Sequence, residues 1–166
     1  MPVIGSETVA KNIAAFGGGF IKHINKSMEK VRDMLDKEIT YNASWQDHNL
    51  SYLRKIGYPY AKRHGPHGME IHDPYWIVHK QSGELLSAKR SGIEEGSMNF
   101  GVLKAKAFVA IDENIVPHVL YVIWGTSKMI PRNFMTESLN NVKGPAIKYL
   151  QDNLTDFVFK FKPVSQ

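Results

Sequence analysis

The chain has no cysteine among its 166 residues. That excludes a disulfide scaffold, a thiol nucleophile and a thiolate-ligated zinc site. It also fits assembly in a reducing cytoplasm, where such bonds would not persist. Nowhere do about 18 uncharged apolar residues run together, so the sequence encodes no helix of membrane-spanning length. The opening MPVIGSETVAK lacks the basic start and apolar core of a secretory leader. No Gly-x-Ser-x-Gly elbow is present, which removes the usual signature of a serine hydrolase. What remains is 43% hydrophobic and 22% charged, enough apolar content to build a core and too much for a disordered chain.

Basic charge is also thin. Lys and Arg number 21 against 16 Asp and Glu, and the excess is spread as +1 over residues 1–38, +1 over 39–96 and +3 over 97–166. A dedicated nucleic-acid binder concentrates its cations. Here the signs alternate, as on an ordinary solvated surface.

Apolar residues recur at Val9, Ile13, Phe16, Phe20, Ile24, Met28, Val31 and Leu35, in steps of three and four. This spacing predicts one face of a helical arm over about 6–37. Ser6 suits its start, and Glu7 complements the dipole there. Gly17, Gly18 and Gly19 interrupt the pattern; each costs about 1 kcal/mol against alanine in a helix, so a kink or break is expected. No Lys-Ser/Thr follows them and no strand precedes them, which rules out a phosphate-cradling loop and leaves close packing or a hinge. A shorter helix is predicted from Asp47 through Leu50, Leu53 and Ile56, ended by Gly57 and Pro59. Residues 57–74 read as an inserted loop, long enough to suggest a functional arm.

Strand signals follow. Trp76, Ile77 and Val78 and then Leu85 and Leu86 flank the turn-like Gln81, Ser82 and Gly83. Over residues 98–111, Leu103, Ala105, Ala107, Val109 and Ile111 share one face, with Lys104 and Lys106 on the other. Asp112, Glu113 and Asn114 make a turn. VLYVIW, residues 119–124, lies between Pro117 and Gly125 and is expected to be a buried central strand. A late helix through Phe134, Leu139 and Val142 continues to Leu150, either kinked or restarted at Gly144 and Pro145. Phe157, Phe159 and Phe161 alternate with Val158, Lys160 and Lys162, which predicts a C-terminal strand. The expected fold is a single α+β domain spanning 1–166, with N-terminal helices, a mainly antiparallel sheet, a late helix and a final strand.

Three constellations invite chemistry. Five of the seven histidines fall at His48, His64, His67, His72 and His79, with Glu70 and Asp73 among them. His64, His67 and His72 are conceivable metal ligands with Glu70 as base, the core of an alternative reading as a small metal-dependent hydrolase. Gly65, Pro66 and Gly68 forbid the helix on which a His-Glu-x-x-His zinc site is built, so no metal or other cofactor is expected. Glu94 with Glu95, and Asp112 with Glu113, are adjacent pairs expected in turns and are not carboxylates facing each other across a site. Tyr58, Tyr60, Lys62, Arg63 and His64 form a basic aromatic cluster. It suits either single-stranded nucleic acid, a third reading, or a neighbouring subunit. The lack of a basic track elsewhere favours the subunit.

The last constellation is HVLYVIWGTSKMIPRNFMTESL. Here Gly125 permits a sharp exit from the apolar run, Pro131 sets the entry to a helix, and Phe134 anchors that helix. Tyr121, Trp124, Gly125, Thr126, Lys128, Met129, Pro131 and Phe134 resemble the signature of the head–tail connector and tail-completion (tail-terminator, neck) proteins of long-tailed bacteriophages, in which a tyrosine-bearing strand ends in an aromatic or acidic residue plus Gly-Thr, followed by Lys-Met, a Pro and an aromatic before the last helix. Upstream, His79, Gly83, Leu85 and Ser87 resemble the same family's first hairpin. The likeness covers roughly residues 75–162. It departs from the family at Ile123-Trp124, where Glu-Phe is more usual, and in the long insertion at 47–74.

The resemblance implies a virion structural protein without catalysis. Such a protein forms a homo-oligomeric ring, six copies by preference and twelve as the alternative, that closes the tail tube and joins it to the DNA-filled head. The implied partners are a neighbouring connector protein, the tail tube protein and, weakly and non-specifically, the packaged DNA; no membrane is involved. The implied location is the virion neck, after assembly in the host cytoplasm. Subunit and partner contacts are expected at Tyr58, Tyr60, Arg63, Gly125, Thr126, Lys128, Met129, Arg132 and Phe134.

Overall fold

A computed structural model of the chain describes residues 6–44, 78, 83–99, 102–126 and 131–162. Its elements in order are helix α1 (Ser6–Asn42), a short helix α2 (Glu84–Ser87), strands β1 (Lys89–Asn99) and β2 (Val102–Ile111), helix α3 (Val119–Trp124) and helix α4 (Phe134–Lys160). β1 and β2 pair as a two-stranded antiparallel sheet. The class is α+β, as expected. The chain divides into two compact units, one of residues 1–32, 92–108 and 144–166, the other of residues 33–91 and 109–143.

In the first unit the N-terminal part of α1 and the C-terminal part of α4 run antiparallel, joined by aromatic rings. Phe16 meets Phe161 with centroids 5.0 Å apart, Phe20 meets Phe157 at 5.7 Å, and the His23 ring lies 5.0 Å from Phe157. His23 Nε2 also lies 3.0 Å from the Asn153 carbonyl oxygen. Edge-to-face and tilted ring pairs of this kind add about 0.5–1.5 kcal/mol each beyond area burial. Asn25 Oδ1 accepts from the Gly96 N–H at 2.7 Å and so ties β1 to α1. Across the sheet, an added Cβ on Gly92 would lie 2.9 Å from the tip of the Phe108 ring, so the absence of a side chain there makes room for that ring.

The second unit holds the larger apolar cluster. Phe134, Ile39 and Ala43 are buried, with Leu35, Val109, Ile111, Val122 and Ile123 packed around them; Ala88, Val116 and Val119 form a smaller cluster. Asn42 Nδ2 donates to Ser138 Oγ at 2.8 Å, and Glu38 Oε1 accepts from Asn141 at 2.9 Å, so the last turns of α1 and the first turns of α4 are held by polar as well as apolar contacts. Lys89 Nζ reaches Asp36 Oδ2 at 2.7 Å and Thr40 Oγ1 at 2.5 Å. A half-buried ammonium with these acceptors is satisfied rather than stranded.

Several expectations need correction. α1 is continuous through Gly17, Gly18 and Gly19 and runs on to Asn42. The covered aromatic face on either side carries it past three weak residues, because packing outweighs intrinsic propensity. Residues 119–124 form a helix, not the buried central strand expected from the apolar run and implied by the neck-protein resemblance. A six-residue apolar run has no period of its own. Its inward residues prove to be Val119, Val122 and Ile123, at helical spacing. Phe157 and Phe159 lie in α4, which ends at Lys160. The step pattern Leu150, Leu154, Phe157, Phe161 is helical and overrides the alternation, leaving Phe159 84% exposed. Of the two alternatives at Gly144 and Pro145, a kinked helix or a restarted one, the restart is excluded, since α4 runs through Pro145 without a break. Leu85 and Leu86 belong to α2, entered through Gly83 at φ 88°, and Glu94 and Glu95 lie in β1 rather than a turn. The expected pattern of β2 is observed: Lys104 and Lys106 are exposed while Leu103, Ala105, Ala107, Val109 and Ile111 are more covered. The expected helix at 47–56, the loop at 57–74 and the strand residues Trp76 and Ile77 lie outside the described residues.

Candidate functional site

The turn after β2 sets the corner on which the motif is built. Asp112 Oδ1 accepts from the Asn114 N–H at 3.0 Å and from the Asn114 side chain at 3.1 Å, and Arg90 lies 2.7 Å from its other oxygen. The Asn114 backbone bond, followed by its side chain and the Arg90 charge, holds the Asp112 carboxyl below its usual range against the opposing effect of burial. The Asp112 carbonyl then accepts from the N–H groups of Ile115 and Val116, both at 3.1 Å, and the chain enters α3.

α3 is apolar all round. At about 100° per residue, Val119, Val122 and Ile123 share the inward side, and Leu120, Tyr121 and Trp124 fall within one outward arc. Tyr121 is 61% and Trp124 71% exposed. Gly125 ends the helix at φ 71°, ψ −178°, a conformation essentially confined to glycine. After it, the Arg132 N–H returns to the Val122 carbonyl at 2.8 Å and the Phe134 N–H to the Arg132 carbonyl at 2.9 Å. Asn133 Oδ1 accepts from the Thr136 N–H at 3.2 Å, which caps α4.

This geometry sorts the expected contact residues. Gly125 and Thr126 sit at the exit of α3, and Thr126 is exposed. Arg132 is buried, and Phe134 is fully buried at 0% exposure. Phe134 is therefore a core anchor of α4 and not a surface contact, because it fills the space between α1, β2 and α3. Tyr58, Tyr60, Arg63, Lys128 and Met129 lie outside the described residues, as do His48, His64, His67, His72, His79, Glu70 and Asp73. Among the described residues no three His, Asp or Glu side chains group as metal ligands, and no helix is long and apolar enough to cross a membrane.

The residues that sequence reasoning missed are Leu120, Tyr121 and Trp124 as a set. Their signal was present. A helix that is hydrophobic on every side is the composition of a buried one, so wherever such a helix lies at the surface its outward half is left for a contact; reading the run as a strand concealed this. Compared with known proteins, the chain matches no family model, no curated protein and no solved structure.

Proposed function

We propose that the chain is a structural protein of the neck of a long-tailed bacteriophage, one subunit of a homo-oligomeric ring that closes the tail tube and joins it to the filled head. The resemblance over residues 75–162 is the starting point. The observation that carries the reading is the outward face of α3, inside the resembling segment: Tyr121 and Trp124 stand exposed on a helix with no charged residue from Asn114 to Ser127. Exposed apolar patches rich in Tyr and Trp mark contact surfaces.

Function on this reading is assembly rather than catalysis. Identical subunits make head-to-tail contacts that close by rotation. The connector above and the tail tube below select the ring, and DNA passes its lumen with little specific contact. Disruption of the gene in the phage that carries it should leave DNA-filled heads and finished tails that are not joined. Electron microscopy of the lysate reads this directly. Joined, infectious particles made without the chain would overturn the reading, as would arrest before any tail is made.

A further inference from the structure

We propose that the first turns of α1, from Ser6 to Gly18, form an order–disorder element that opens and closes as a unit, with Gly17 and Gly18 as its break point, while the rest of the first unit stays folded. The inference rests on the first unit alone and is independent of the neck reading.

The glycines are the starting point. Glycine is the weakest helix former after proline, yet α1 is helical through three in a row. Gly19 has a local reason: an added Cβ would lie 3.4 Å from the Phe157 ring. Gly17 and Gly18 have none. A Cβ on either would meet nothing within 4 Å, and neither has a positive φ. Their cost to the helix is not offset by packing within the chain.

The coverage of α1 changes at the same place. From Phe20 onward the helix is tied down on several sides. Phe20 and His23 lie against Phe157, Asn25 Oδ1 accepts from the Gly96 N–H, and Ile24 and Ser27 are buried. Before Gly17 the residues are exposed or half-buried throughout, with Val9 and Ile13 at 58% and 69% exposure. The tie to α4 is Phe16, 5.0 Å from the Phe161 ring and 5.5 Å from the Phe157 ring. The Glu7–Lys11 ion pair is exposed and adds little. Ser6 to Phe16 spans only about three turns, a length at which a helix gains little from its own hydrogen bonds. Thr8, Val9 and Ile13 weaken it further, because their branched side chains lose freedom in a helix.

Two states follow. In the closed one, Val9 and Ile13 stand about 6 Å apart along the axis and continue the stripe of Phe16 and Phe20. In the open one that surface does not exist. The break at Gly17 and Gly18 spares the turns from Phe20 onward, so the arm is set apart from the fold of the unit as a low-stability segment.

Native-state hydrogen exchange of the full chain tests this. The amides of Ala10 to Ala15 should exchange at least about 100-fold faster than those of Ile24 to Val31. Their rates should not respond to guanidinium below the unfolding transition, because opening the arm exposes little surface. Gly17→Ala combined with Gly18→Ala should slow exchange at Ala10 to Ala15 about 25-fold, since each alanine is worth about 1 kcal/mol in a helix. Phe16→Ala should bring the same amides to the rate of an unprotected peptide while Ile24 to Val31 stay protected. Equal protection of Ala10–Ala15 and Ile24–Val31 in the parent would show one cooperative helix and overturn the proposal. So would fast exchange at Ala10–Ala15 that the double alanine variant leaves unchanged, because simple fraying from the end needs no break point.

Discussion

Replacing Phe134 by alanine should remove a large share of the second unit's stability. The side chain is fully buried among Ile39, Ala43 and the apolar residues around them. Truncating a buried phenylalanine removes its transfer free energy and leaves a cavity, a loss of about 3–5 kcal/mol. Domains of this size are stable by only about 5–15 kcal/mol in total. The denaturant midpoint should fall sharply while the slope stays near that of the parent, the mark of lost stability without a changed unfolded state. Phe159→Ala is the matched control. Phe159 is 84% exposed, so its removal should shift stability by no more than about 0.5 kcal/mol. An unchanged midpoint for Phe134→Ala, coupled with failed assembly, would instead make Phe134 a contact residue.

The second large effect is expected from the triple change Tyr58→Ala, Tyr60→Ala and Arg63→Ala. Tyr and Arg are the side chains that dominate interface hot spots, where a single truncation often costs more than 2 kcal/mol of binding. Together they should prevent heads from joining to tails, and infectious titre should fall by several orders of magnitude. Circular dichroism and the thermal midpoint of the purified chain should stay close to the parent, which separates lost contact from lost fold. A triple variant that assembles normally would remove this cluster from the list of contacts. The same clusters allow the metal-dependent reading to be tested. Loss of a stoichiometric bound metal and an associated activity on His67→Ala or His72→Ala alone would replace assembly by catalysis.

How much of this was legible beforehand depends on the element. The stripe of α1 and the alternation of β2 could be read because one face of each is more covered than the other, and a repeated pattern survives single exceptions. Gly17, Gly18 and Gly19 misled because propensity is local, while the rings of Phe157 and Phe161 that pack on α1 beside them arrive from more than a hundred residues away. Six apolar residues at 119–124 fit a strand or a helix equally well. What decides is that Asp112 and Asn114 close a turn just before them and Gly125 leaves them at a backbone angle suited to ending a helix. The alternating phenylalanines were ambiguous in the same way, and the helical steps upstream resolve them. The polar link from Asn42 to Ser138 joins residues 96 apart, with no spacing to betray it. Of the candidate site, the corner at Gly125 and the anchoring role of Phe134 were visible. The outward face of α3 was hidden by the wrong period.

On the proposed function, many copies of this chain close a ring at the neck. A reconstruction of the neck of the intact virion, computed without imposed symmetry and supported by the mass ratio of this chain to the tail tube protein, tests it most directly. The expected result is a closed ring between the head vertex and the tail tube, built from six copies of the chain or, in the alternative, twelve. A single copy per particle, copies scattered over the capsid, or purified infectious particles that lack the chain would contradict it.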